Sequence, residues 1–228
     1  MIKRLIGTVL MTAVLHGTVA AQETSRDRAQ EVLPPDVFRQ IEALALETRG
    51  EGIPDEILFN KALEGMAKRV PPDQVVPAVR AYAGRLRQVR TAFGPTSTPP
   101  LLVAGADALQ RGVGADALRR LREGEGAVPS PMAILVLADL VESGVPADRA
   151  VALVREALQR RTREEEILGI PERVRRLMRQ GRTAQDAAEQ VRRTLRRRGG
   201  GVGLPVPPGS EPLTAERRRR LQRSGGEV

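Results

Sequence analysis

The chain has 228 residues, with no cysteine, no tryptophan and one histidine, His16. Beyond that histidine it offers no thiol nucleophile, no disulfide, no imidazole base and none of the usual zinc ligands, so chemistries built on those groups are excluded. The formal net charge is +9, yet residues 22–190 carry twenty-five cationic and twenty-five acidic side chains, while residues 191–228 carry ten arginines and three glutamates. On this count the folded body is neutral, and the high isoelectric point describes a basic C-terminal arm.

Residues 1–21 read as a secretion signal. Lys3 and Arg4 precede the apolar run Leu5–Leu15, and Val19-Ala20-Ala21 supplies small residues for cleavage near Ala21. The apolar run is too short for a comfortable membrane span and is broken by Thr12 and His16. Export to the periplasm or beyond is therefore expected, leaving a helical domain over 22–198 and a Gly/Pro/Arg-rich tail over 199–228 without fixed structure. No cysteine follows the signal, so lipid anchoring at that point is excluded.

The elements that follow are all helical. Gln22–Val32 is polar and reads as loose. Asp36–Thr48 has Val37, Ile41, Leu44 and Ala45 at helical spacing, and the next helix opens at Ile53-Pro54-Asp55-Glu56 with Leu58, Ala62 and Met66 on its apolar side. After Pro71-Pro72-Asp73 comes the longest predicted helix. Val75, Val79, Tyr82, Leu86, Val89 and Phe93 recur at spacings of 4, 3, 4, 3 and 4, and Pro77 should kink the helix or shift its start. Gly94–Pro100 reads as a linker and a possible sub-boundary. Leu101–Arg111 with Ala115–Arg122, Pro131–Arg161, and Pro171–Gln180 with Ala184–Arg197 then read as three helical hairpins.

The central hairpin is the most sharply punctuated. Ser130 can cap a helix whose first residue is Pro131, Gly144 can end it in the left-handed conformation, and Val145 can fold back on Ala150. The hairpin's turn Val145-Pro146-Ala147-Asp148 has relatives in Val70-Pro71-Pro72-Asp73, Val113-Gly114-Ala115-Asp116 and Arg182-Thr183-Ala184-Gln185. The fourth positions of successive turns, in chain order, are 43, 32 and 37 residues apart. Pro54, Pro100, Pro131 and Pro171 open the first helices of the units. The predicted fold is all-α: an irregular bundle or a short solenoid of stacked αα-hairpins.

Several chemistries were weighed on their residues. The run Glu164-Glu165-Glu166 fans out around a helix beside Arg160, Arg161 and Arg163, which makes it a solvated charged face and not a pair of catalytic carboxylates. Asp73, Asp116 and Asp148 already serve helix starts, and no second metal ligand recurs with them. Ala108–Val113 with Leu118 has helix-turn-helix spacing, but any tight helix pair needs small and apolar residues there, and export argues against reading DNA. No cofactor is expected and no enzyme. Two functions remain. One is a protein-interaction module of the cell envelope, holding another protein in a groove between hairpins. The other is an envelope protein bound to an anionic polymer or lipid through Arg192, Arg193, Arg196, Arg197, Arg198, Arg217, Arg218, Arg219, Arg220 and Arg223.

Overall fold

A computed structural model describes residues 24–123 and 129–199. Among them are eleven α-helices and no strand. The helices are α1 (Ser25–Val32), α2 (Pro35–Gly50), α3 (Glu56–Ala67), α4 (Pro72–Phe93), α5 (Pro99–Gln110), α6 (Ala115–Arg122), α7 (Pro131–Glu142), α8 (Ala147–Gln159), α9 (Glu164–Leu168), α10 (Ile170–Arg179) and α11 (Ala184–Gly199). The signal, the Gly/Pro-rich tail and its arginines from Arg217 onward lie outside the described residues.

The segment expected to be loose is instead helical. Thr24 and Asp27 form a capping box: the Thr24 hydroxyl accepts from the Asp27 N–H at 3.2 Å, and the Thr24 N–H donates to the Asp27 carboxylate at 3.2 Å. Burial of Ala29 and Leu33 fixes the helix to the core. The signature was present in Thr24-Ser25-Arg26-Asp27. Helix α4 starts at Pro72 with Pro77 inside it, so of the two effects expected of that proline the shifted start does not occur.

One turn geometry recurs through the molecule. After α2, α3, α5, α7, α8 and α10 a residue with positive φ is followed by one whose N–H donates to the carbonyl five residues back. These bonds run from Ile53 to Thr48, Val70 to Gly65, Val113 to Ala108, Val145 to Leu140, Thr162 to Ala157 and Arg182 to Leu177, at 3.0–3.2 Å. This is the Schellman closure, which satisfies carbonyls the helix leaves free. The left-handed residue is Gly52, Gly112, Gly144 or Gly181 in four turns, but Arg69 and Arg161 in the other two. The caps read from sequence are also present: Ser130 accepts from the Ala133 N–H at 3.2 Å, and Thr183 from the Asp186 N–H at 3.1 Å.

These turns reverse the chain, and the helices sort into two layers. In the first, α5 packs on α7 and α7 on α10. In the second, α4 packs on α6, α6 on α8 and α8 on α11. The architecture is therefore a short stack of helical hairpins, with α1 and α2 closing one end against α3 and α4, and one apolar core running through it. The Gly94–Thr98 turn joins two helices that pack intimately. A Cβ built on Gly105 of α5 would lie 2.5 Å from a Val89 methyl of α4. Aromatic packing is confined to the α2 end, where Phe38 and Phe59 stack with ring centroids 6.1 Å apart. Beyond that stack and the buried Tyr82 and Phe93 of α4, the described core is filled by aliphatic side chains, many of them alanine and valine.

The stack is irregular at one place. Helices α3 and α5 both rest on α4 but barely touch each other. This is also where the turn spacing is longest, 43 residues from Asp73 to Asp116. The gap leaves an open groove across α3, α5 and α7.

Candidate functional site

The groove has a volume of about 620 Å³ and is lined mainly by apolar groups. Tyr82 of α4 forms part of its lining and is nearly inaccessible, so it acts as the floor. The walls are Ile57 of α3, Val103 and Ala104 of α5, and Leu135 of α7. Leu135 is 42% exposed, the most accessible large apolar side chain of its helix. Pro54, Pro99, Pro100 and Pro131 also line it. Proline at a helix start presents a ring where other residues present a free N–H, so these helix ends make an apolar rim. Three of the four prolines read as unit markers thus share one surface; the fourth, Pro171, is buried at the start of α10.

The polar groups of the groove are mostly acidic: Glu56, Glu64 and Asp107 against Lys61. Lys61 donates to Glu64 at 2.9 Å and sits 5.1 Å above the Tyr82 ring, and Lys68 also pairs with Glu64. Hydrogen bonds from Lys61 and Lys68 hold the Glu64 carboxyl below the ordinary glutamate value. Glu56 and Asp107 have no ion-pair partner among the described residues. Burial pushes the Tyr82 hydroxyl up to about 12, and the negative charges of Asp107 and Glu64 add to the effect. Tyr82 is therefore a neutral floor and not a base.

The arginines predicted to bind polyanions are only partly free. Arg192 makes a two-point contact to Glu189 at 2.9 and 3.1 Å. Arg196 donates to Glu156 at 2.7 Å, tying α11 to α8, and Arg160 donates to the other oxygen of the same carboxylate at 2.7 Å. Burial raises the Glu156 pKa, but these two guanidiniums outweigh it and hold the carboxyl below its ordinary value. Arg193 and Arg197 are exposed on α11. The side chain of Arg198, and Arg217, Arg218, Arg219, Arg220 and Arg223, fall outside what the structure describes.

No family model, curated protein or solved structure matches this chain. The site is therefore read from its own geometry. The acidic readings weighed above find structural roles. Asp73, Asp116 and Asp148 each lie in the first turn of a helix, and Glu164–Glu166 form the first turn of α9. Among the described residues no group of three metal-binding side chains converges, and no helix is long and apolar enough to cross a membrane.

The body is neutral in sum, but its charge is unevenly spread over the helices. Helices α3, α5 and α7 together carry one lysine and five carboxylates, whereas α10, which packs on α7, carries four arginines and one glutamate. Helices α4, α6, α8 and α11, counted as far as Arg197, carry thirteen arginines and six carboxylates. From α3 to α7 the net sign alternates helix by helix, so a count over that stretch largely cancels. Folding gathers α4, α6, α8 and α11 into one layer and so concentrates arginine there.

Proposed function

We propose that the chain is exported and acts as a non-catalytic protein-interaction module of the bacterial cell envelope. Its groove receives an amphipathic, cationic segment of another protein. The observation that carries this reading is the open apolar groove floored by Tyr82, with Glu56 and Asp107 unpaired at its edge. A segment lying across α3, α5 and α7 would bury Leu135, Val103 and the rim prolines, and its cations would meet the unpaired carboxylates. The charge pattern of residues 1–21 supports export, and the lack of histidine and cysteine after His16 supports a binding role. The alternative, attachment of the basic arm to an anionic envelope polymer or lipid, draws support from Arg193 and Arg197, which extend the tail's charge onto the folded body.

The test is site-directed photocrosslinking in the producing cell. A photoreactive residue replaces Glu56 at the groove edge or Gln88, which is exposed on α4 in the other layer. The expected result is one discrete adduct from position 56, none from position 88, and loss of the adduct when Leu135→Glu is added. Identical adducts from both positions, or an adduct that survives Leu135→Glu, would overturn the groove reading. The same preparations report export: mature protein beginning near Gln22 outside the cytoplasm supports it, and a full-length cytoplasmic product starting at Met1 refutes it.

A further inference from the structure

The second layer contains a feature that the groove does not use. Arg120 of α6, Arg155 of α8, and Arg192 and Arg196 of α11 line one concavity of about 310 Å³, together with Val151, Ala152 and Gln159. Two carboxylates also line it, one hydrogen-bonded and one exposed. Glu156 is held by Arg160 and Arg196, and Asp148 lies 3.8 Å from Arg149. Arg192 is held by Glu189. Arg120 and Arg155 have no ion-pair partner among the described residues.

Arginines from three helices thus line one hollow, and two of them, Arg120 and Arg155, lack an ion-pair partner among the described residues. Elsewhere in this chain two arginines each meet two carboxylates: Arg87 meets Glu47 and Glu51, and Arg111 meets Asp139 and Glu142. The hollow has room for a small tetrahedral anion, and guanidinium forks match such anions through paired N–H donors. The charge of the whole layer would draw the anion in, because its arginines outnumber its carboxylates about two to one.

We propose that this concavity is an anion site for a phosphate-type oxyanion, contacted by Arg120 and Arg155 and flanked by Arg192 and Arg196. It is independent of the groove and belongs to the folded body, not to the basic arm. The oxyanion could be a free phosphate or the headgroup of an anionic lipid, and the experiment separates the two sources.

The full mature chain is titrated with inorganic pyrophosphate, and separately with phosphatidylcholine vesicles containing phosphatidylglycerol, at low and at moderate salt. Three variants are compared with it: Arg120→Gln/Arg155→Gln, the arm variant with Arg217, Arg218, Arg219 and Arg220 all changed to Gln, and Leu135→Glu in the groove. Pyrophosphate is expected to bind, with affinity falling about tenfold in the Arg120→Gln/Arg155→Gln variant and unchanged in the other two. Because neither arginine holds a carboxylate, that variant should melt at the same temperature as the parent or higher, so lost binding cannot be ascribed to unfolding. If vesicle binding falls in parallel, the source is a headgroup. If only pyrophosphate responds, the ligand is soluble. Absence of pyrophosphate and vesicle binding, or binding that the double variant leaves intact while the arm variant abolishes it, would overturn the proposal.

Discussion

The left-handed residues closing the helices set the chain reversals. Gly144 has φ +88°, and a Cβ built there would meet nothing within 4 Å. The objection to a side chain at this position is therefore conformational and not steric crowding. Gly144→Val should destabilise the protein by about 1–2 kcal/mol, measured as a shift in the urea midpoint, because a β-branched residue resists this region strongly. Arg161 occupies the same conformation at φ 49° and bears that cost already. Arg161→Gly should thus stabilise by up to about 1 kcal/mol. If both variants melt like the parent, left-handed geometry does not govern these turns.

Among the elements, the close crossing of α4 and α5 is the tightest test of packing. Gly105 lies inside a helix, where glycine costs about 1 kcal/mol relative to alanine. The reason for keeping it is Val89, which is fully buried and whose methyl would sit 2.5 Å from an added Cβ. Gly105→Ala should gain helix propensity but lose more to overpacking, about 1–3 kcal/mol before that gain. Val89→Ala alone should also destabilise by leaving a void. The double variant should be less destabilised than the two single losses together, since the alanine methyl occupies the vacated space. Additive losses would show that the two residues are not coupled. The same crossing positions the groove: with α5 pressed onto α4 at Gly105, and α3 resting elsewhere on α4, Tyr82 is left between them. A helix-by-helix reading finds Tyr82 in the heptad-like seam of α4 and assigns it to the core, where most of its ring is indeed buried. Only the separation of α3 from α5 makes it a floor.

At the scale of the molecule, Glu156 is the carboxylate that joins the last hairpin to the stack. Its side chain is 9% exposed and bonded to Arg160 and Arg196. The folded pKa is depressed below the ordinary 4.5. Its stabilising contribution is therefore complete above about pH 4.5 and is lost as pH falls through the depressed folded value. Stability measured from about pH 6 down to about pH 3 should fall, and Glu156→Gln should lose about 1–3 kcal/mol at neutral pH while falling less steeply with acid. Equal acid slopes in variant and parent would place the titration elsewhere. The half-buried pair of Glu189 with Arg192 and the exposed pairs of Glu172 with Arg175 and Arg179 titrate in the same direction with smaller effect, because solvent screens them more than Glu156.

The sequence by itself determined the all-α class, nearly every helix from α2 onward, the hairpin turns and the caps at Ser130 and Thr183. Those features depend on groups within about five residues of one another, and proline, glycine and hydroxyl side chains act over that range. Thr24-Ser25-Arg26-Asp27 belonged to the same legible kind, but the polarity around it concealed it, and burial of Ala29 and Leu33 against later helices completed α1. The tertiary structure alone decided which faces meet. Arg196 and Glu156 are forty residues apart and share a hydrogen bond. Arg120 and Arg192 belong to helices with no local relation and line one hollow. Pro54, Pro100 and Pro131 mark separate units in the chain and become one rim. Net charge over long stretches is a sum, and a sum erases alternation. Stacking α4, α6, α8 and α11 into one layer gathers their arginines on one side, away from the acidic α3, α5 and α7, because antiparallel hairpins place successive helices on opposite faces of the stack.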